Sequence, residues 1–401
     1  MEPTIRIKGF ESEWSKQKAQ EIFKTYDDRN HPELPVLSAC QDIRGMAPRS
    51  TSGYDIFHDK ANEVTYKRVL PGQFVIHLRS FQGGFAHSAI EGICSPAYTV
   101  FEFKNKDEHD DYYWKHVLRS RAFIERLPLI TYGIRDGRSI SFNDFSDLAF
   151  SFPEKSEQSA IASFLKKMYD QIENTEKKIK SLRQMRVASL QAMFPQKGAT
   201  KPQIRFKGFN KDWEMNTLDT YLIPSKAKNT DGKYSKEDVL SVSGEFGIVN
   251  QIAFQGRSFA GASVLNYGVV ETKDIVYTKS PLKLNPYGIV KTNEGVPGIV
   301  STLYAIYKCV EGVNPTFVQY YFELDARLND YLRPLVRKGA KNDMKVSSEG
   351  ALIGNVVFPS YDEQTLIADY FNTLDKKIQL EEQKLESLKR IKSACLDNMF
   401  V

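Results

Sequence analysis

PTIRIKGFESEW occupies residues 3–14, and PQIRFKGFNKDW occupies residues 202–213. Pro, Ile, Arg, Lys, Gly, Phe and Trp recur at one offset, 202 − 3 = 199. Further matches follow in the same order. VLS at 36–38 returns at 239–241, and YKRVLPGQFVI (66–76) answers YGVVETKDIVY (267–277). GICSPAYTVF (92–101) answers GIVSTLYAIY (298–307) at an offset of 298 − 92 = 206, and LPLITYGIRDGRSIS (127–141) answers RPLVRKGAKNDMKVS (333–347). FPEKSEQSAIASFL (152–165) answers FPSYDEQTLIADYF (358–371), ungapped to MF at 193–194 and 399–400. The chain is therefore a tandem duplication. Matched edges around variable interiors predict two related units that bind different things.

Each copy closes on a long run that holds neither Gly nor Pro. Pro153 before a polar cluster marks a helix start. Ser156 and Asp362 are expected to cap the first turns, with Glu157 and Glu363 near the positive helix ends. Apolar residues then step by four and three. The first set is Ile161, Leu165, Met168, Ile172, Ile179 and Leu182; the second is Ile367, Phe371, Leu374, Ile378, Leu385 and Leu388. This period is a coiled-coil seam, interrupted at Thr175 and Glu381 by water, a register lock or another protein. About 38 residues make a rod of about 57 Å. Two such helices in one chain pair most simply antiparallel. Phe164, Met185, Leu190, Met193, Leu380, Ile391, Leu396 and Met399 widen the stripe. They point either to helices from another protein or to packing on the chain's own globular segments.

The 401 residues suffice for two or three domains, and 41% hydrophobic with 26% charged residues is an ordinary globular composition. No apolar run reaches the roughly 18 residues of a membrane span. MEPTIRIKGF lacks a signal-peptide pattern, which places the protein in the cytoplasm. Cys40, Cys94, Cys309 and Cys395 are scattered, so buried thiols are expected rather than a zinc site. A net charge of +5 fits a nucleic-acid binder without requiring one.

The globular segments alternate β-rich runs (QFVIHL, AYTVFEF, DIVYT, LYAIYKC) with turn signals, followed by helical stretches at 107–127 and 314–336. The fold class expected is α+β: two duplicated mixed α/β units separated by two long antiparallel coiled-coil helices, with pseudo-two-fold symmetry. Polar, Gly-punctuated loops hold the residue types that read bases. Arg forks onto guanine and Asn or Gln pairs with adenine, each worth about 1–3 kcal/mol of discrimination. Candidates are Arg44, Arg49, Arg79, Gln82, His87, Arg135 and Arg138 in copy one. In copy two they are Gln251, Arg257, Arg337, Lys338, Lys341, Asn342 and Lys345.

Catalytic patterns fail on inspection. NPY (285–287) and NPTF (314–317) lack the second Pro of an adenine-methyltransferase motif, and GRSFAGAS (256–263) has Ala262 where a phosphate-binding Lys belongs. ETK (271–273) lacks the acidic partner of a nuclease site. No catalytic residue and no metal ligand is assigned.

The repeated I-R-[IF]-K-G-F starts, the F-P-x(3)-E-Q helix openings and the L-x(2)-M-F helix ends resemble the DNA specificity subunits of type I restriction–modification systems. The resemblance implies target-recognition domains at 1–151 and 197–357, and conserved spacer helices at 152–196 and 358–401. Each domain would read one half of a bipartite DNA sequence. The helices would set the gap and dock two methylation subunits that use S-adenosylmethionine, with restriction subunits joining them. This chain itself would carry no cofactor and no catalysis. WSKQKAQEIF (14–23) departs from the usual opening that WEMNTL (213–218) keeps. The alternative is a coiled-coil scaffold joining two protein-binding domains; steep salt dependence of binding separates DNA reading from it.

Overall fold

The computed structural model describes residues 3–40, 45–51, 60–77, 84–130, 140–261, 263–279, 285–338 and 344–401. The chain forms two compact units, residues 1–176 with 383–401 and residues 177–382. Each long helix is 38 residues, Lys155–Ala192 and Tyr361–Asn398, and gives one half to each unit.

The duplication reappears as topology. In unit one a four-stranded antiparallel sheet runs in the order Phe23–Tyr26, Thr99–Phe103, Phe74–Ile76, Phe85–His87. Unit two repeats it as Leu222–Pro224, Ala305–Cys309, Ile275–Tyr277, Val290–Thr292. Smaller pairs also repeat: Lys67–Val69 with Gly92–Cys94 corresponds to Gly268–Val270 with Gly298–Val300. The divergent opening Ser15–Lys18 pairs with Ala149–Phe152 just as Glu214–Thr217 pairs with Asn355–Phe358, so drift in sequence leaves the element intact. Two glycines recur for a steric reason. A Cβ on Gly92 would lie 2.5 Å from the Pro35 carbonyl oxygen, and one on Gly298 2.5 Å from that of Asp238. The helical stretches are each broken, into Asp111–Val117 and Arg121–Ile124 and into Pro315–Tyr321 and Asp325–Leu332.

The repeated motifs have mechanical jobs. Arg6 makes a two-pronged bond to Glu157 at 2.8 Å on both oxygens, and Arg205 does so to Glu363 at 2.6 and 2.7 Å. Both glutamates are fully buried in the first turn of a long helix. The next residue clamps the helix entry. Gln158 donates to the Pro153 carbonyl and accepts from the Asp110 amide; Gln364 does the same with Pro359 and Asn314. Ile5 N donates to Asn398 O at 3.0 Å, and Ile204 N to Ala192 O at 2.9 Å, tying each start to a long helix's last turn.

The two helices are antiparallel within each unit, because partner numbers fall on one as they rise on the other. In unit two Lys178 meets Glu381, Arg186 meets Asp375 and Ser189 meets Tyr370. In unit one Glu176 meets Lys389, and Lys392 lies over the Tyr169 ring. Two expectations are corrected. Ser156 and Asp362 lie inside the helices rather than at their caps, and Ser156 donates to the Glu154 carboxylate. The seam is also not a simple helix–helix seam. Ile161, Leu165, Met168 and Ile172 join the aromatic core of unit one, and Ile367 and Phe371 that of unit two. Ile179, Leu374 and Ile378 are buried, while Leu182, Leu385 and Leu388 are half-buried. Thr175 turns its hydroxyl back onto the Gln171 carbonyl, and Glu381 accepts from Lys178.

Leu190, Met193 and Phe194 end the first helix inside the core of unit two; Leu396, Met399 and Phe400 end the second in unit one. Phe164, Met185, Leu380 and Ile391 stay exposed. Cys94 and Cys395 are buried, and Cys40 and Cys309 half-buried, all as thiols. Burial pushes the Cys94 and Cys309 thiols up to about 12. Among the described residues no helix is long and apolar enough to cross a membrane.

Candidate nucleic-acid interface

Seven sequence candidates, Arg44, Arg79, Gln82, Arg135, Arg138, Lys341 and Asn342, lie outside the described residues. Arg337–Lys338 and Met344–Lys345 pair as a short antiparallel hairpin, with Arg337 exposed. Arg49 is half-buried and donates from Nε to Ser38 Oγ at 3.3 Å.

His87 is corrected from a base reader to a core residue. It is 2% exposed, its Nε2 lies 2.6 Å from Asp111 Oδ2, and its ring packs on Phe74 and Tyr112. Burial works to raise the Asp111 carboxyl, but the hydrogen bond and charge of His87 outweigh it and hold it below the usual range.

Gln251 and Arg257 stand together in unit two. Hairpin Leu240–Ser243 with Gly247–Asn250 runs directly into helix Gln251–Gln255. Asn250 caps that helix by accepting from the Ile252 and Ala253 amides. Gly256, at φ 74°, ends it in the left-handed region, which favours glycine. Gln251 turns its side chain inward, donating to Ser241 Oγ at 3.1 Å and accepting from Phe259 N at 2.7 Å. It holds the loop, and both its amide oxygen and its amide nitrogen are engaged within unit two. Arg257 is exposed, its guanidinium 4.6 Å from the Phe259 ring centre.

Sequence reasoning missed Phe246, Phe254 and Phe259 beside them, which are 59%, 45% and 56% exposed. The signal was three phenylalanines inside one Gly-punctuated stretch, 244–261. Among the described residues no cluster of three or more His, Cys, Asp or Glu could hold a metal.

The family model of the type I restriction modification DNA specificity domain matches residues 12–184. The specificity domain found there agrees with the resemblance carried by the repeated edges. The chain is also similar, at 15% identity, to a type I restriction-modification S subunit from M. genitalium, with 100% of this chain and 99% of that one covered and a TM-score of 0.56. That likeness is one of fold and runs over both copies: α+β, with duplicated mixed units and two long helices. An HsdS subunit from Thermoanaerobacter tengcongensis is similar at 16% identity, 96% coverage of both chains and a TM-score of 0.49. No curated protein matches this chain.

Proposed function

We propose that this chain is the DNA-reading subunit of a type I restriction–modification complex, each globular unit reading one half of a bipartite sequence. The observation that carries this is the second unit, which repeats the four-stranded sheet and the smaller strand pairs of the unit matched by the DNA specificity domain model. Divergent loops on a repeated frame suit two different half-sites. Two modest readers on one chain bind jointly, because the second contact forms at high effective concentration. The paired helices, unbroken over 38 residues each, set the gap between the half-sites.

Methylation subunits dock on those helices. Met185 and Ile391, equivalent at the 206-residue offset, are 52% and 49% exposed, which supports two matching docking points. Catalysis and S-adenosylmethionine belong to these partners, restriction subunits join them, and the complex acts on cytoplasmic DNA.

Sequencing the methylated sites in cells carrying the chain with its methylation subunits tests the proposal. The expected result is a bipartite motif, one half of which alone changes when residues 209–357 are exchanged for another second unit. A continuous motif, or both halves changing together, would overturn it.

A further inference from the structure

We propose that Phe246, Phe254, Arg257 and Phe259 are the DNA-contacting surface of the second unit, with the phenylalanine rings packed into a groove of the duplex and Arg257 reading a base edge. This rests on the half-site reading above and says where unit two performs it.

Three large rings are exposed: Phe246 in a hairpin turn, Phe254 on the short helix Gln251–Gln255, and Phe259 in the loop after it. Phe246 sits in the hairpin turn, where its amide donates to Ser243 Oγ at 3.1 Å. Its ring meets that of Phe254 at 5.4 Å, so the two form one apolar ridge. On the other side of the hairpin Val242 and Ile248 pack against a core of Leu240, Val270, Val276, Val300 and Ile306. The inward face is thus already provided for, and the ridge contributes nothing to it. Exposed apolar surface of this kind marks an interaction site.

The charge beside Phe259 chooses the occupant. Among the described residues no carboxylate pairs with Arg257, whereas Arg6, Arg68, Arg121, Arg183, Arg186 and Arg205 each meet one. At the surface the Arg257 guanidinium lies 4.6 Å from the Phe259 ring centre, a cation–π contact. Gln251 holds the backbone at Phe259 by accepting from its amide at 2.7 Å. A planar, unneutralised fork beside apolar rings matches a duplex groove. There the fork meets guanine O6 and N7, and the rings meet thymine methyl groups and sugar edges or wedge at a base step. Glu245, in the same turn, is an acceptor suited to a cytosine amino group rather than to phosphate.

The test uses the full chain assembled with its methylation subunits. The probes are a duplex carrying the methylated sequence found in cells and two duplexes with one half or the other scrambled. F246S/F254S, F259S and R257Q are compared with the parent after thermal melts show that they fold. Each is expected to lose tenfold or more on the cognate duplex. Their affinity for the duplex with the second unit's half scrambled should stay within about twofold of the parent's. Unchanged cognate binding by folded F246S/F254S overturns the proposal. So does loss of assembly with methylation subunits while DNA binding is kept, which would make the ridge a protein contact. A parent that fails to distinguish the scrambled halves would instead overturn the half-site reading itself.

Discussion

At equivalent positions the two units fasten their helices to their globular parts with different chemistry. In unit two Arg186 bonds Asp375 at 2.6 Å and Glu323 at 3.1 Å, Lys291 bonds Glu323 at 2.7 Å, and Tyr320 donates to Asp375 at 2.9 Å. On the long helices the offset is 206, so Arg186 answers Lys392 and Asp375 answers Tyr169; on the shorter helices Asn314 answers Asp110 at 204, so Glu323 answers Arg119. In unit one Lys392 lies 5.0 Å over Tyr169, which stacks on His116 at 5.6 Å and 10°. One junction is a half-buried ionic network; the other is a column of rings under a cation. By contrast the Arg6–Glu157 and Arg205–Glu363 pairs are nearly identical. The lesson is that the duplication preserved the connections at the edges and left the interior free to change. That freedom suits the two different half-sites proposed above.

The largest effect is expected where each helix end plugs into a core. Phe194 touches the rings of Trp213, Phe317, Tyr321 and Phe371, while Phe400 touches those of Tyr113 and His116. Phe194→Ala is expected to cost about 4 kcal/mol in unit two and Phe400→Ala about 3 kcal/mol in unit one. Hydrogen exchange read peptide by peptide checks this: each loss of protection should centre on the unit that receives the ring.

Next come the matched pairs. Arg6→Met or Arg205→Met leaves a fully buried carboxylate without its cation, at about 3 kcal/mol each. Denaturant melts should show near-equal losses. A difference above about 1 kcal/mol would mean that the edges are less equivalent than their geometry.

At the differing junctions the costs should part. Arg186 is largely buried, and its two acids together with their charge outweigh the burial that works to lower it, so its guanidinium is held more strongly charged than usual. Arg186→Met should cost about 2 kcal/mol, since Lys291 still neutralises Glu323. Lys392→Met should cost less than about 1 kcal/mol, the range of a cation over a ring near the surface. The same melts measure both.

How far the sequence could be read follows the same division. The repeated edges were legible because each repeated residue does one fixed thing. Arg6 holds Glu157, Gln158 clamps its helix, and Phe400 plugs a core. The apolar stripe of each long helix was legible as buried but not as to what it faces. A 3.5-residue period is satisfied equally by a helix and by the globular core that Ile161 and Leu165 enter. His87 misled because a polar side chain in a Gly-rich loop looks exposed until a carboxylate such as Asp111 is known to meet it. Phe246, Phe254 and Phe259 escaped notice because base reading is expected of hydrogen-bonding side chains. Their exposure depends on which side of the hairpin the core occupies, a tertiary fact that a short loop does not encode.

The smallest expected effect separates the units by pH. All six histidines lie between His31 and His116, so unit two has none. Burial is the leading cause that pushes His109 down to about 4 and His116 down to about 3. His109 is packed among Phe103, Trp114 and Phe152, and His116 between Tyr169 and Phe400. Unfolded, both would titrate near 6.5. Below that pH the unfolded state binds protons that the folded unit refuses. Stability therefore falls as pH drops through 6.5 and goes on falling until the folded values near 4 and 3 are reached. Lowering the pH from about 7.5 to about 6 is expected to cost unit one on the order of 1 kcal/mol and to leave unit two unchanged. Hydrogen exchange at the two pH values, corrected for intrinsic rates, reads both units in one sample. His116→Phe should remove much of the difference while keeping a ring against Tyr169. A pH response equal in the two units would show that carboxylates, not these histidines, set it.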